Sequence, residues 1–387
     1  MPSPLEVEPF EIHVGDDVLA DLRARIRNTR WPPPAPGPAW EQGTDLRYLQ
    51  DLCAYWADGF DWRTQERRLN AVQHFLATVD GVRIHFVHER APGGDGIPLI
   101  LTHGWPSTFA EFLPLVPLLT RPHAHGIDGA AFDVVIPSLP GYGFSQRPDR
   151  TGVTMRWTAT LWHRLMRGLG YERYGAQGGD FGAGVATFMA LDEPAPMIGL
   201  HLHTLELSPP TGPGTPPLSA AERDYLEQVR RWDDVERGYS EIQSTRPQTV
   251  GYGLTDSPAA LAAWVLEKWR SWTDSGGDLD RRFGRDPLLT FVTLFWVTRS
   301  ITSSLRDYFD QRWSPDARLR PGDVVEVPTA FALFRDHFVA EGVPPREWVE
   351  RLYRLRRWTP MPRGGHFAPV EEPELLARDI AEFFADL

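Results

Sequence analysis

Two runs of alternating apolar and polar residues in "FLATVDGVRIHFVHER" meet at Asp80-Gly81. Period-two alternation on either side of Asp-Gly predicts a β-hairpin, because that dipeptide accepts the positive φ angles of a tight turn. The pattern then changes. "IPLILTHGW" and "FDVVIPSLPG" are continuous apolar runs that close on turn residues, the expectation for strands covered on both faces. Helical patterns separate them: "STFAEFLPLVPLLT", helical despite its prolines, then "TATLWHRLMRGLG". "YGAQGGD" reads as a strand entering a turn, "GAGVATFMALDE" as a helix and "MIGLHLHTLEL" as a further strand. Strands alternating with helices predict an α/β class, a mainly parallel sheet with helices on both faces.

The flanks differ from this core. Residues 1–75 are helical and loop-rich: "DDVLADLRARIRNTRW" is amphipathic, and "PPPAPGPAW" cannot be helical. Trp31 and Trp40 flank that proline run and predict a segment packed on a body, not a free linker. The strand rhythm of residues 76–206 is lost over 207–315, where "AAERDYLEQVRRW", "PAALAAWVLEKWRSW" and "PLLTFVTLFWVTRSITSSLRDYF" read as a helical insertion. It returns over 316–387 with "VVEVPTAFALF" and the amphipathic "EEPELLARDIAEFFADL". No internal repeat or phosphate-binding glycine fingerprint is visible.

Composition narrows the function classes. The chain has 387 residues, 42% of them hydrophobic, enough for a large core. A formal net charge of -12 argues against nucleic-acid or anionic-membrane partners. Cys53 is the single cysteine, so no intramolecular disulfide forms. Lys268 is the single lysine, which reads as a coding bias toward arginine. "MPSPLEVEPFEI" lacks the basic and apolar regions of a signal peptide, and no apolar run is long enough to span a bilayer. The expectation is a soluble cytoplasmic protein.

The candidate chemistry lies in "YGAQGGDFGAGVATFMA", strand, tight turn and helix, with Gly178 and Gly182 two residues either side of Asp180. That is nucleophile-elbow spacing with aspartate in place of serine. A carboxylate there can attack a saturated carbon and form an ester that water later hydrolyses. The water needs a general base, and "RGGHFAPVEEPEL" offers His366 in a turn before the last helix.

His103-Gly104-Trp105-Pro106, the "GGDFG" elbow and "RGGHFA…EEPELLARDI" together resemble the epoxide hydrolases of the α/β-hydrolase fold, in the microsomal-like branch. "PFEIHV" and "RIRNTRWP" resemble that branch's N-terminal meander. The resemblance covers nearly the whole chain and implies an α/β-hydrolase core with a helical cap and no cofactor or metal. It implies an oxyanion hole from the amides of Trp105 and Phe181, and cap tyrosines at Tyr239 and Tyr308 that protonate the epoxide oxygen. The family's charge-orienting acid follows the strand "PTAFALF". Here direct alignment puts His337 on that position, with Asp336 one residue early and Glu341 in a short insertion; Asp336 is slightly favoured, and Glu341 stays open beside it.

The small-molecule partner implied is an epoxide, with the cap tryptophans suiting an aromatic or bulky one. A haloalkane dehalogenase shares the aspartate nucleophile, but Phe181 stands where that activity commonly has a tryptophan. A non-catalytic binding protein on the same scaffold is the third reading, supported only by the displaced acid. His201 and His203 alternate on a strand without a third metal ligand and read as strand-end polar residues, like His123 and His125 in their loop. A homodimer is left open with no sequence feature behind it.

Overall fold

A computed structural model describes residues 5–387. Nine strands form one sheet: β1 Val7–Phe10, β2 His74–Val79, β3 Val82–Glu89, β4 Ile97–Thr102, β5 Phe132–Pro137, β6 Tyr174–Gly178, β7 Met197–Leu202, β8 Val325–Leu333 and β9 Tyr353–Pro360. Their order across the sheet is β1-β2-β3-β5-β4-β6-β7-β8-β9. The first three run antiparallel to their neighbours, and β5, β4, β6, β7, β8 and β9 are parallel. The chain thus has the α/β-hydrolase architecture. The apolar runs of β4, β5 and β6 are buried because helices cover both faces. Period-two alternation shows this within β6. Gly175 faces Phe384 of the C-terminal helix Pro373–Ala385, and Gly178 faces Gly182 of the helix Phe181–Asp192.

The Asp80-Gly81 turn has positive φ at both residues, 54° and 80°, as the hairpin requires. Two local expectations are corrected. "STFAEFLPLVPLLT" is not one helix but a 3₁₀ turn, Phe109–Phe112, and a short α-helix, Leu115–Thr120. The break falls at Pro114, which supplies no amide hydrogen and caps the second helix, whereas Pro117 sits in that helix's first turn, where its amide would have no intrahelical partner. The N-terminal segment holds a strand as well as helices, since β1 pairs with β2 at the sheet edge.

The helices Asp16–Arg27, Leu46–Asp58 and Trp62–Leu69 join that edge to the helical insertion. The Tyr55 hydroxyl donates to Asp286 at 2.7 Å, and Trp56 Nε1 donates to Thr293 at 3.0 Å. The proline run itself is exposed, but its flanks are anchored: Trp31 packs on the core and Trp40 lies 5.1 Å from the Tyr48 ring.

Seven helices lie between β7 and β8: Ala220–Glu236, Gly238–Thr245, Pro247–Asp256, Pro258–Trp272, Leu279–Phe283, Arg285–Thr298 and Ile301–Trp313. Glu222, in the first turn of this group, pairs with Arg351 near β9, fastening the insertion to the sheet. No single helix among the described residues is long and apolar enough to cross a membrane.

Candidate functional site

β6 turns into the helix Phe181–Asp192 through Gly179 and Asp180. Asp180 holds φ 52° and ψ −135°, a conformation costly for any residue with a side chain. Crowding requires the glycines around it. A Cβ at Gly182 would run into the Thr102 carbonyl, and one at Gly104 would strike the Asp180 carboxylate. The bend leaves the Asp180 amide hydrogen pointing toward the end of β7, where Thr204 Oγ1 accepts it at 2.5 Å. Without that hydroxyl a constrained donor would lose its partner.

The two oxygens of Asp180 face different surroundings. Oδ1 accepts from the Trp105 amide at 2.9 Å and the Phe181 amide at 2.7 Å. Oδ2 lies 3.3 Å from His366 Nε2. The amides that would hold an oxyanion therefore already hold one oxygen of the carboxylate, and the other is left to react.

His366 is held by the insertion as much as by the core. Its amide donates to Trp272 O at 2.8 Å, and its ring lies 5.1 Å from the Trp272 ring. Glu371 pins the turn from below, accepting from the Phe367 amide at 3.1 Å and from the Asp274 amide at 2.8 Å. Burial opposes protonation of the imidazole, but the carboxylates of Asp180, Glu341 and Glu111 outweigh it and raise the His366 pKa above its ordinary value.

The structure separates the two carboxylates left open for the third position. Glu341 lines the same cavity as Asp180 and His366, set deep enough within the fold to be desolvated. Burial raises its pKa, the His366 charge works the other way, and Asp180 and Asp233 raise it further. Asp336 is absent from the cavity lining, its backbone amide tied to Gly364 O at 3.2 Å. Neither bonds His366 directly; among the described residues its paired carboxylate is Asp180. Between them stands His337, whose Nδ1 lies 3.6 Å from Glu341 and whose ring is 6.3 Å from that of His366. Burial, and then the His366 charge, push its pKa down to about 3, so it is neutral at physiological pH.

Tyr239 and Tyr308 come from two different insertion helices and meet over the elbow, ring centroids 5.8 Å apart. Tyr239 stacks on the Trp105 indole at 5.2 Å and 6°, and Tyr308 sets its edge against Phe181 at 4.8 Å and 85°. The residues that supply the two amides thus also seat the two phenols. Burial first, then the Asp180 charge for Tyr239 and its neighbour Tyr239 for Tyr308, raise both pKa values well above the ordinary phenol value. Both stay protonated at neutral pH. Asp180, Phe181, His366, Tyr239, Tyr308 and Glu341 line one cavity of about 570 Å³.

The sequence reading missed Thr204 and misplaced His203. β7 ends at Leu202, so the strand alternation that would put His201 and His203 on one face stops short. His201 pairs with Asp379 at 3.0 Å, whereas His203 takes a hydrogen bond from Gln177 at 2.7 Å and lines the cavity beneath Gly179. "HLHT" after a buried strand was the available signal, but only the strand's end point gives it meaning.

Residues 7–112 match the family model "Epoxide hydrolase N terminus", and residues 97–269 match the model "alpha/beta hydrolase fold". Epoxide hydrolase 1 of Oryctolagus cuniculus is 39% identical over 411 residues, covering 97% of this chain and 88% of the relative. The crystal structure of juvenile hormone epoxide hydrolase from Bombyx mori superposes with a TM-score of 0.87 at 30% identity, covering 99% of this chain and 95% of the other. Aspergillus niger epoxide hydrolase superposes at 0.83, with 30% identity over 98% of this chain and 96% of the other.

Proposed function

Because the chain belongs to the epoxide hydrolase family of the α/β-hydrolase fold, we propose that it opens an aromatic or bulky epoxide through an ester on Asp180 and releases the vicinal diol. The observation that carries this reading is the division of labour on Asp180, one oxygen held by two amides and the other turned toward His366 in a cavity walled by two protonated phenols.

In this mechanism Oδ2 attacks an epoxide carbon, the C–O bond breaks, and the departing oxygen takes a proton from a phenol of the Tyr239–Tyr308 pair. Oδ1 becomes the ester carbonyl oxygen without moving. His366 Nε2 then takes a proton from water, and the hydroxide adds to the ester carbon. The amides of Trp105 and Phe181 hold the resulting oxyanion. Collapse expels the diol's oxygen, which takes the proton held on His366; the proton of the new carboxylic acid returns to the phenolate, restoring both the carboxylate and the phenol.

A dehalogenase reading has one observation behind it. Trp105 Nε1 and Trp272 Nε1 are buried and have no acceptor among the described residues, and indole donors suit a departing halide. Incubation of the purified protein with racemic styrene oxide and, separately, with a bromoalkane separates the two. Diol without bromide is the expected result; bromide without diol would overturn the proposal.

Glu341 supports His366 in this reading, through space and alongside His337. Glu341→Gln is expected to slow ester hydrolysis on the order of tenfold and, since the Glu341 charge raises the His366 pKa, to shift its acid limb downward. Asp336→Asn should leave both nearly unchanged. Transient kinetics of the isolated hydrolysis step on both variants makes the comparison, and the reverse ranking would return the role to Asp336.

A further inference from the structure

Of the 40 lysine and arginine residues in the chain, 39 are arginine and Lys268 alone is lysine. A coding bias acts on every position alike, so the position that escaped it is informative. Lys268 is 6% exposed, on the helix Pro258–Trp272. Its Nζ is held by Glu236 at 2.9 Å and Glu267 at 2.8 Å. It lies over the Tyr239 ring, 5.1 Å from the centroid, and 5.7 Å from that of Trp272. A guanidinium is a larger planar fork, and a compact ammonium suits a closed space between two carboxylates and two aromatic rings.

We propose that Lys268 is a positioning residue for epoxide opening, its ammonium fixed over the Tyr239 ring so that the phenol gives up its proton more readily. The inference rests on Tyr239 as a proton donor. As the proton leaves, electron density moves into the ring and the attraction to the cation grows. The contact is therefore stronger in the transition state than in the resting enzyme, the condition for raising the rate. Asp180, Glu206 and Glu341 all disfavour negative charge on Tyr239, and the Lys268 ammonium is a cation placed over its ring. Glu236 and Glu267 anchor the ammonium and oppose its field.

A double-mutant cycle of Lys268→Met and Tyr239→Phe tests this, with ester formation and ester hydrolysis timed separately in single turnovers of styrene oxide. Methionine keeps most of the apolar stem and removes the charge. Lys268→Met should slow ester formation about tenfold, within the range of a desolvated cation–π contact, leave hydrolysis unchanged, and add nothing in the Tyr239→Phe background. An equal loss in that background would show that Lys268 acts through packing and overturn the inference. Wild-type ester formation in Tyr239→Phe would instead overturn Tyr239 as a donor, whatever Lys268 does. Should Lys268→Met fail to fold, Glu267→Gln supplies the converse. Removing one counter-charge should speed ester formation, and an unchanged or slower rate counts against the proposal.

Discussion

Asp180→Ala should abolish diol formation, with a loss on the order of 10⁴-fold or more, because the proposed nucleophile is removed and no other carboxylate sits between the two amides. A single-turnover reaction in ¹⁸O-labelled water is the sharper measurement on the wild type. If Asp180 Oδ2 attacks the epoxide, the first diol released carries unlabelled oxygen from the enzyme, and the label appears in the peptide containing Asp180. Direct attack by water would place the label in the diol at once and leave the peptide unlabelled, which would end the ester mechanism. Trp105 and Phe181 bear on the same result. Their amides hold Oδ1, so the carboxylate oxygen that faces the cavity is the one expected to enter the first diol.

His366→Gln should trap the ester instead of preventing it. One equivalent of epoxide is consumed, the protein gains the substrate's mass on Asp180, and steady turnover falls by about 10²–10⁴-fold, the usual contribution of a positioned base. Intact-protein mass spectrometry detects the adduct; rapid hydrolysis without accumulation would remove His366 from the role. The pH dependence follows from what faces the imidazole. Burial lowers its pKa, but the Asp180 carboxylate, followed by Glu341 and Glu111, raises it by a larger amount. A base works only when neutral, and in the free enzyme the raised pKa keeps the imidazole protonated until the pH exceeds a value above the ordinary histidine figure of about 6.5. Ester formation cancels the Asp180 charge, the largest contribution on the raising side. The acid limb of the hydrolysis step should therefore lie below the His366 pKa measured by NMR in the free enzyme. Coincidence of the two would mean that Asp180 does not control the base.

The parts of the site legible in the chain are those built from neighbouring residues. The strand, the glycines and the helix around Asp180 fall within "YGAQGGDFGAGVATFMA", and the strained turn is a property of that segment alone. His366 was legible for the same reason, as a turn between a strand and the last helix. The acid was not. Asp336, His337 and Glu341 lie in an irregular stretch after β8, where no periodicity says which side chain turns inward. The 3₁₀ break at Phe109–Phe112 was lost because an apolar run outvoted its prolines.

What the sequence determined by itself, then, was the strand-helix order, the elbow and the residue types available for each step, since dihedral preferences and covalent spacing act over a few residues. Tertiary structure decided which distant groups share a cavity. Tyr239 lies on the Trp105 indole across 134 residues of chain, Thr204 takes the Asp180 amide, and the lone lysine lies over a phenol ring. Electrostatic and hydrogen-bond energies depend on separations of a few ångströms and on exclusion of water. Those quantities exist only after the insertion has closed over the sheet.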